Sequence, residues 1–439
     1  MSVPEKRLIS KRDILILAGI LLVGVIGVVY MQASSGEEQG LYARVFFMGE
    51  QVLLVNLATD ASFTLAEAMN LDPQGLPSVY FEVQGGALSF VKSDCPDLLC
   101  VAMGPQSLVG GFAACLPNRL LFHIEEAEYS LFTAAFFDIF DTVIFLRLFS
   151  NSQDEFDTKS EAIYNELKRL HMLFDIFNEY EGISNIATIN RLAGVEPVAA
   201  CEALLGLIEE GIDAHRRSGG AVNIAMGPVL RLWHDFLTGS ASSPPNMEAL
   251  EAAKLLSYIN DVVIYNNQVF LARVGMSLDV GALAKGVALE RAVAVAEDLG
   301  VISGIISIGG DMALIGRPLD GRASWTIGIE DPEGGIFGTK RLDSTSVASS
   351  GNYQRFVMYG ENRYHHIIDP FTLLPAGQFS SLTIVHPSPM VAEFLSTAAF
   401  VMPFDGGIRL VTDLGAEALW ILPDGSHRQT DGFAFERVE

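Results

Sequence analysis

Charged and small residues meet most closely in Ser277-Leu-Asp-Val-Gly-Ala-Leu-Ala-Lys-Gly286. The stretch reads as a strand end, a small-residue turn and a helix start, with Asp279 and Lys285 supplying one charge of each sign. A helix entered through Gly281, Ala282 and Ala284 leaves its first N–H groups without intrahelical partners, and its dipole favours an anion such as a phosphate there. Taken alone, the residues suit equally well a strand–turn–helix with a capping Asp and a solvated Lys. Further on, Glu393 and Thr397 are four apart, which puts both oxygens on one side of a helix. By themselves they also describe a plain solvated face. In Tyr364-His-His-Ile-Ile-Asp-Pro370, a strand would send His365 and His366 to opposite sides.

The elements that must hold these residues belong to a chain of 439 residues, long enough for two or three domains. Half of it is hydrophobic and 18% charged, which excludes a disordered chain. The formal net charge of −25 repels nucleic acid and anionic lipid heads, so no nucleic-acid partner is expected. An anionic ligand must then meet a local cationic pocket or a bound cation.

Residues 1–13 are a basic segment with Lys6, Arg7, Lys11 and Arg12. Ile14 to Tyr30 is free of charge, and 14–33 suits one transmembrane helix. The bases before it, with Glu37 and Glu38 after it, put the N-terminus in the cytoplasm and the bulk of the chain outside a bacterial cell membrane. A cleaved signal peptide is the competing reading; the length of the run and the poor cleavage site at 29–33 favour a retained anchor. After a linker at 34–40, residues 41–126 carry short apolar or alternating runs between Gly and Pro turns, a small all-β sandwich or barrel. Cys95, Cys100 and Cys115 fall here. They read as a disulfide between two of them or as plain structural residues; a metal or redox site is the functional alternative, and neither a CxxC pattern nor a nearby His other than His123 supports it.

From 129 to 439 helices and strands alternate irregularly. Apolar periodicity predicts a helix over 157–177, others at 200–217, 248–256 and 390–401, and strands around the Asn266-Asn267 and Gly309-Gly310 turns. Strands outnumber what a doubly wound parallel sheet needs, so the class is a mixed-sheet α/β fold.

Two resemblances follow from the motifs. Ser93-Asp-Cys-Pro-Asp-x-x-Cys100 with Cys115-Leu-Pro-Asn-Arg119 resembles the NusG domain II-like module, which implies a fold and not RNA binding. Seven further motifs resemble the ApbE family in order. They are Phe140-Asp-Thr-Val143, Ala225 to Trp233, Leu278 to Gly286, Ile308-Gly-Gly-Asp311, Ser349-Ser-Gly-Asn-Tyr353, His365 to Pro370 and Ala392-Glu-Phe-Leu-Ser-Thr397. The resemblance implies a T-fold-like, Mg²⁺-dependent FAD:protein FMN transferase. Such an enzyme takes FAD as substrate, releases AMP and esterifies FMN to a Ser or Thr of an extracytoplasmic acceptor protein. It implies contacts to FAD from Phe140, Tyr180, Trp233, Asp279 and Lys285. It implies metal ligation by the Ala282 carbonyl, Glu393 (where the family usually has Asp) and Thr397. His366 and Asp369 are the acid–base candidates. An FAD pyrophosphatase and a non-catalytic flavin carrier are the alternatives. Asp235-Phe-Leu-Thr-Gly-Ser-Ala241 misses the flavin-acceptor pattern and reads as a loop, so the acceptor is another protein.

Overall fold

The computed structural model describes residues 41–438 other than 58, 59, 70, 72, 74, 127 and 128. The basic segment 1–13, the expected membrane helix 14–33 and the linker 34–40 lie outside the described residues. Among the described residues, no helix is long and apolar enough to cross a membrane. Contacts divide the chain into two compact units, Met1–Glu128 and Tyr129–Glu439.

In the first unit, strands β1 (Leu41–Phe47), β2 (Glu50–Asn56), β3 (Ala61–Thr64), β4 (Tyr80–Gln84), β5 (Ala87–Lys92), β6 (Phe112–Cys115) and β7 (Leu120–Glu126) form two sheets. Their orders are β2-β1-β7-β6 and β3-β4-β5. Alternate residues such as Ala43 and Val45, Phe81 and Val83, Leu88 and Phe90, and Phe122 and Ile124 point into one core, as the two-residue strand period requires. Two short helices, Leu65–Met69 and Leu99–Ala102, add to the expected β architecture. The second of them brings Cys100 into that core.

The second unit is built on an eight-stranded sheet. Its strands are β8 (Ser130–Phe136), β9 (Ile144–Ser150), β10 (Gly304–Ile308), β11 (Asp311–Ile315), β12 (Thr345–Gly351), β13 (Ser381–His386), β14 (Glu417–Ile421) and β15 (His427–Gln429). They lie side by side in chain order, and all seven neighbouring pairs are antiparallel. The α/β class holds, and the pairing refines the mixed sheet expected for it into an antiparallel one. Both faces are covered. In β14, Ala418 and Trp420 enter the helix-side core while Leu419 and Ile421 enter a second core under Trp325, Phe337 and Phe433. In β11, Ala313 and Ile315 face one way and Leu314 the other.

The helix layer contains α1 (Gln153–Phe174), α2 (Glu202–Arg217), α3 (Gly227–Leu237), α4 (Ala284–Asp298) and α5 (Pro389–Val401). Helix α1 starts four residues before the predicted 157, because the Ser152 hydroxyl accepts the Glu155 amide as an N-cap. It buries Ile163, Leu167, Leu170, Leu173 and Phe174 on one face. Helices α4 and α5 cross closely at Gly286. A Cβ there would stand 2.7 Å from the Pro389 carbonyl oxygen and 3.0 Å from the Glu393 Cβ, so only glycine fits.

Candidate active site

The expected strand end before Asp279 is irregular backbone. Its place is fixed by a side-chain amide that mimics a strand partner: Leu278 N–H donates to Asn190 Oδ1 (2.6 Å) and Asn190 Nδ2 donates to Leu278 O (2.9 Å). Asp279 N–H donates to Ile224 O at 2.8 Å, and its Oδ1 accepts the Gly281 amide at 3.0 Å. The turn thus reaches α4 with the Ala282 and Lys285 amides free of any protein acceptor among the described residues. These are the unsatisfied donors of a helix N-terminus, and they suit an anion's oxygens.

This turn forms one wall of a cleft of about 730 Å³, within the size of small-molecule sites. Of the ten residues singled out from the sequence, the cleft is lined by Phe140, Trp233, Asp279, Ala282, Lys285, His366 and Thr397. Trp233 is buried, with its indole N–H donating to Leu373 O at 2.9 Å, so only part of the ring forms the wall. Phe140 and Asp141 both have positive φ, 57° and 50°. That is a costly conformation for two consecutive non-glycine residues, placed at the cleft's edge. The Phe140 amide donates to His171 Nδ1 at 3.2 Å. Burial pushes the Asp279 carboxyl above the usual range, against the pull of the Gly281 amide and of nearby His234.

Three of the ten do not line the cleft. Tyr180 donates its hydroxyl to Asp175 Oδ2 at 2.7 Å. Burial and the Asp175 charge push its pKa up to about 12. It stands behind Asp175 and Asn178, which do line the cleft. Asp369 folds back on its own turn, where its Oδ1 accepts the Phe371 (2.7 Å) and Thr372 (3.4 Å) amides. It is thus a turn-former, as short Asp side chains before Pro and Thr readily become. Glu393 is 2% exposed and does not line the cleft. Its Oε1 accepts from Lys285 Nζ at 2.6 Å and its Oε2 from the Gly286 amide at 2.5 Å.

Lys285 also donates to Asp311 Oδ2, while Asp311 Oδ1 takes the Ser349 amide at 2.9 Å. One ammonium therefore sits between two buried carboxylates. Burial alone would lower the Lys285 pKa; Asp311 and Glu393 outweigh it and raise it, so the ammonium keeps its proton. Burial raises the Glu393 pKa, and Lys285 opposes that shift. Asp311 belongs to the Ile308-Gly-Gly-Asp311 motif, which by itself assigns it no role. The signal for it was the Gly309-Gly310 turn, at φ 60° and 95°, which turns β10 into β11 and sets Asp311 at the strand start.

The two adjacent histidines diverge, His365 as the last residue of the strand Asn362–His365 and His366 in the bend that follows it. His365 is buried, with Nε2 donating to Ala376 O (2.7 Å) and Nδ1 accepting the Ile367 amide. His366 opens to the cleft, and its Nδ1 meets Arg355 O at 3.4 Å. A carbonyl only accepts, so Nδ1 carries the proton and Nε2 keeps its lone pair. The ring is exposed, though flanked by the cleft walls, which take away part of its hydration. This desolvation, followed by the Arg355 charge, pushes its pKa down to about 4. Arg355 itself lines the cleft with one guanidinium bond to Asp141 O. Its one sequence signal is its place two residues after the Ser349–Tyr353 motif.

The oxygen set expected for Mg²⁺ fits through two members. The Gly286 amide, which a regular helix would give to Ala282 O, goes to Glu393 instead, and no other amide among the described residues takes that carbonyl. The Ala282 carbonyl and the Thr397 hydroxyl are hard oxygen donors on the cleft wall. Each Glu393 oxygen already holds one donor, so the carboxylate joins such a set only through a lone pair that these bonds leave free.

An antiparallel sheet carries a helix layer, and one cleft brings together free backbone amides and an open histidine. A family model described as ApbE family matches residues 140–420, and the chain belongs to this family. A NusG domain II model matches residues 15–128. An FAD:protein FMN transferase of Treponema pallidum (strain Nichols) is 32% identical over 270 residues, 57% of this chain and 74% of that protein. One of Klebsiella pneumoniae (strain 342) is 27% identical over 270 residues, 60% and 80% of the two chains. The crystal structure of the ApbE protein from Thermotoga maritima superposes with a TM-score of 0.62 at 29% identity, covering 70% of this chain and all of that one.

Proposed function

We propose that this chain is an FAD:protein FMN transferase that attaches FMN to a Ser or Thr of another protein. The observation that carries the reading is the convergence of Asp279 and Lys285, His366, and Thr397, from three separate segments of the chain, on one cleft. The names of the related proteins support it. In the proposed reaction the acceptor hydroxyl oxygen attacks the FMN-side phosphorus of FAD. The P–O bond to AMP breaks, AMP leaves with the bridging oxygen, and the hydroxyl proton passes to His366 Nε2.

Each group has a physical task. The free amides of Ala282 and Lys285 hold phosphate oxygens at the start of α4. Arg355 supplies a guanidinium whose charge is not matched by a carboxylate within ion-pair distance among the described residues. His366 is neutral above about pH 4 and so can accept a proton. The arriving pyrophosphate raises its basicity from that depressed value, since a nearby negative charge favours the imidazolium. Mg²⁺, held by Ala282 O and Thr397 Oγ1 together with substrate oxygens, would neutralise phosphate charge.

The uncharged run 14–33 and its flanking charges support an anchored chain whose catalytic unit and acceptor lie outside the cytoplasm. The test is to incubate the full chain with FAD, Mg²⁺ and an acceptor carrying a Ser/Thr flavinylation motif, then weigh the intact acceptor. The reading expects a covalent FMN increment on the acceptor. Free FMN and AMP with an unmodified acceptor would make the protein a pyrophosphatase instead.

A further inference from the structure

The first unit holds a site that the flavin chemistry leaves unused. The Sγ atoms of Cys95, Cys100 and Cys115 all lie within 4.8 Å of one another, and Cys95 and Cys100 are 3.5 Å apart. All three are free thiols and buried, at 4%, 1% and 1% exposure. A thiophilic ion bound by three sulfurs at about 2.3 Å sets them about 4 Å apart, so this spacing suits one ion at their centre. A disulfide joins only two sulfurs, at about 2 Å, and leaves the third without a function.

A second feature points the same way. Ser93 Oγ accepts two N–H groups, from Cys95 N (3.2 Å) and Asn118 Nδ2 (3.1 Å). With both lone pairs taken, its own hydrogen has to be donated, and Cys115 Sγ lies at 3.6 Å. The hydroxyl is therefore preset to donate to sulfur, which favours the thiolate a metal needs. Asn118 is in turn held by Asp94 Oδ1 at 2.7 Å, and Asp94 Oδ2 accepts the Ser78 amide at 2.9 Å. Ser93, Asp94 and Asn118, the polar members of the cysteine motif, thus form one oriented shell around the sulfurs.

We infer that Cys95, Cys100 and Cys115 bind one thiophilic d¹⁰ metal ion, Zn²⁺ or Cu⁺, in the core of the first unit. Three S–H bonds are lost and three metal–sulfur bonds form, with the protons released to solvent. Soft sulfur ligands select these ions over Mg²⁺, so the site is chemically separate from the oxygen-lined cleft.

The test uses the full chain carrying Cys201→Ser, which removes the one other thiol, an exposed one. Reduced, metal-free protein is titrated anaerobically with Zn²⁺ alone and with Cu⁺ alone, each against a chromogenic competing chelator. The inference expects one equivalent of at least one ion retained and a raised unfolding temperature. Serine at any of the three positions should lower affinity at least tenfold. Ser93→Ala keeps every sulfur, and should weaken binding roughly tenfold through the lost orienting bond, which decides the matter if the cysteine variants do not fold. Substoichiometric binding of both ions, or binding indifferent to these changes, overturns the inference. So does a Cys95–Cys100 disulfide in the isolated protein that, once reduced, yields no metal uptake.

Discussion

The two walls of the cleft handle charge in opposite ways. On the 279–286 wall Lys285 is already committed, tied to Asp311 and Glu393 in the interior. On the 355–366 wall His366 and Arg355 keep reactive atoms open to the cleft, each tied to the protein by a single bond. The difference separates what shapes the site from what can react in it. A charge bound to buried partners fixes geometry. A group left with a free lone pair or N–H meets the substrate.

Substitutions should separate the walls. Lys285→Met leaves two buried carboxylates without their cation, and should cost about 3–5 kcal/mol in urea unfolding along with all transfer activity. His366→Ala should lower kcat by roughly 10²–10⁴ while urea unfolding at pH 7 shifts by less than about 0.5 kcal/mol. If both variants lose stability equally, the contrast between the walls fails. Arg355→Ala should raise KM for FAD roughly tenfold, as losing one hydrogen bond to a charged group does, with a smaller change in kcat. Asp369→Ala should cost about 1 kcal/mol of stability through its turn and leave kcat within roughly threefold.

The pH dependence follows the same division. The His366 pKa falls from 6.5 in an ordinary setting to about 4 in the fold, so between these values the unfolded chain binds the proton more readily. Its contribution to stability is complete above about pH 6.5 and is lost as pH falls towards 4. Unfolding followed across that window should show a shallower slope in His366→Ala. The acid limb of kcat/KM should reflect the same low pKa in the free enzyme.

Much of this was legible in the sequence, for local reasons. The opposite sides of His365 and His366 were expected, although the strand ends at His365 and a bend turns His366 away, and the turn with free amides follows from small residues before a helix. The order of the sheet was not legible. Strands such as Glu417–Ile421 are apolar on both faces because both faces are covered, which erases the alternation that marks a half-exposed antiparallel strand. The Lys285–Glu393 pair joins residues 108 apart, which no spacing rule reports. Asp369, the acid–base candidate beside His366, and Tyr180, expected at FAD, carry local bonds, a turn cap and a carboxylate, that no spacing in their motifs reports.

The central claim, that a neutral His366 receives the acceptor's proton as AMP departs, is tested most directly by chromatographic measurement of AMP released from FAD. The measurement is made with saturating Mg²⁺ and acceptor, in the unaltered chain and in His366→Ala. The account predicts AMP in step with FMN bound to the acceptor in the first, and a loss of at least a hundredfold in the second. Equal AMP release from both proteins would contradict it.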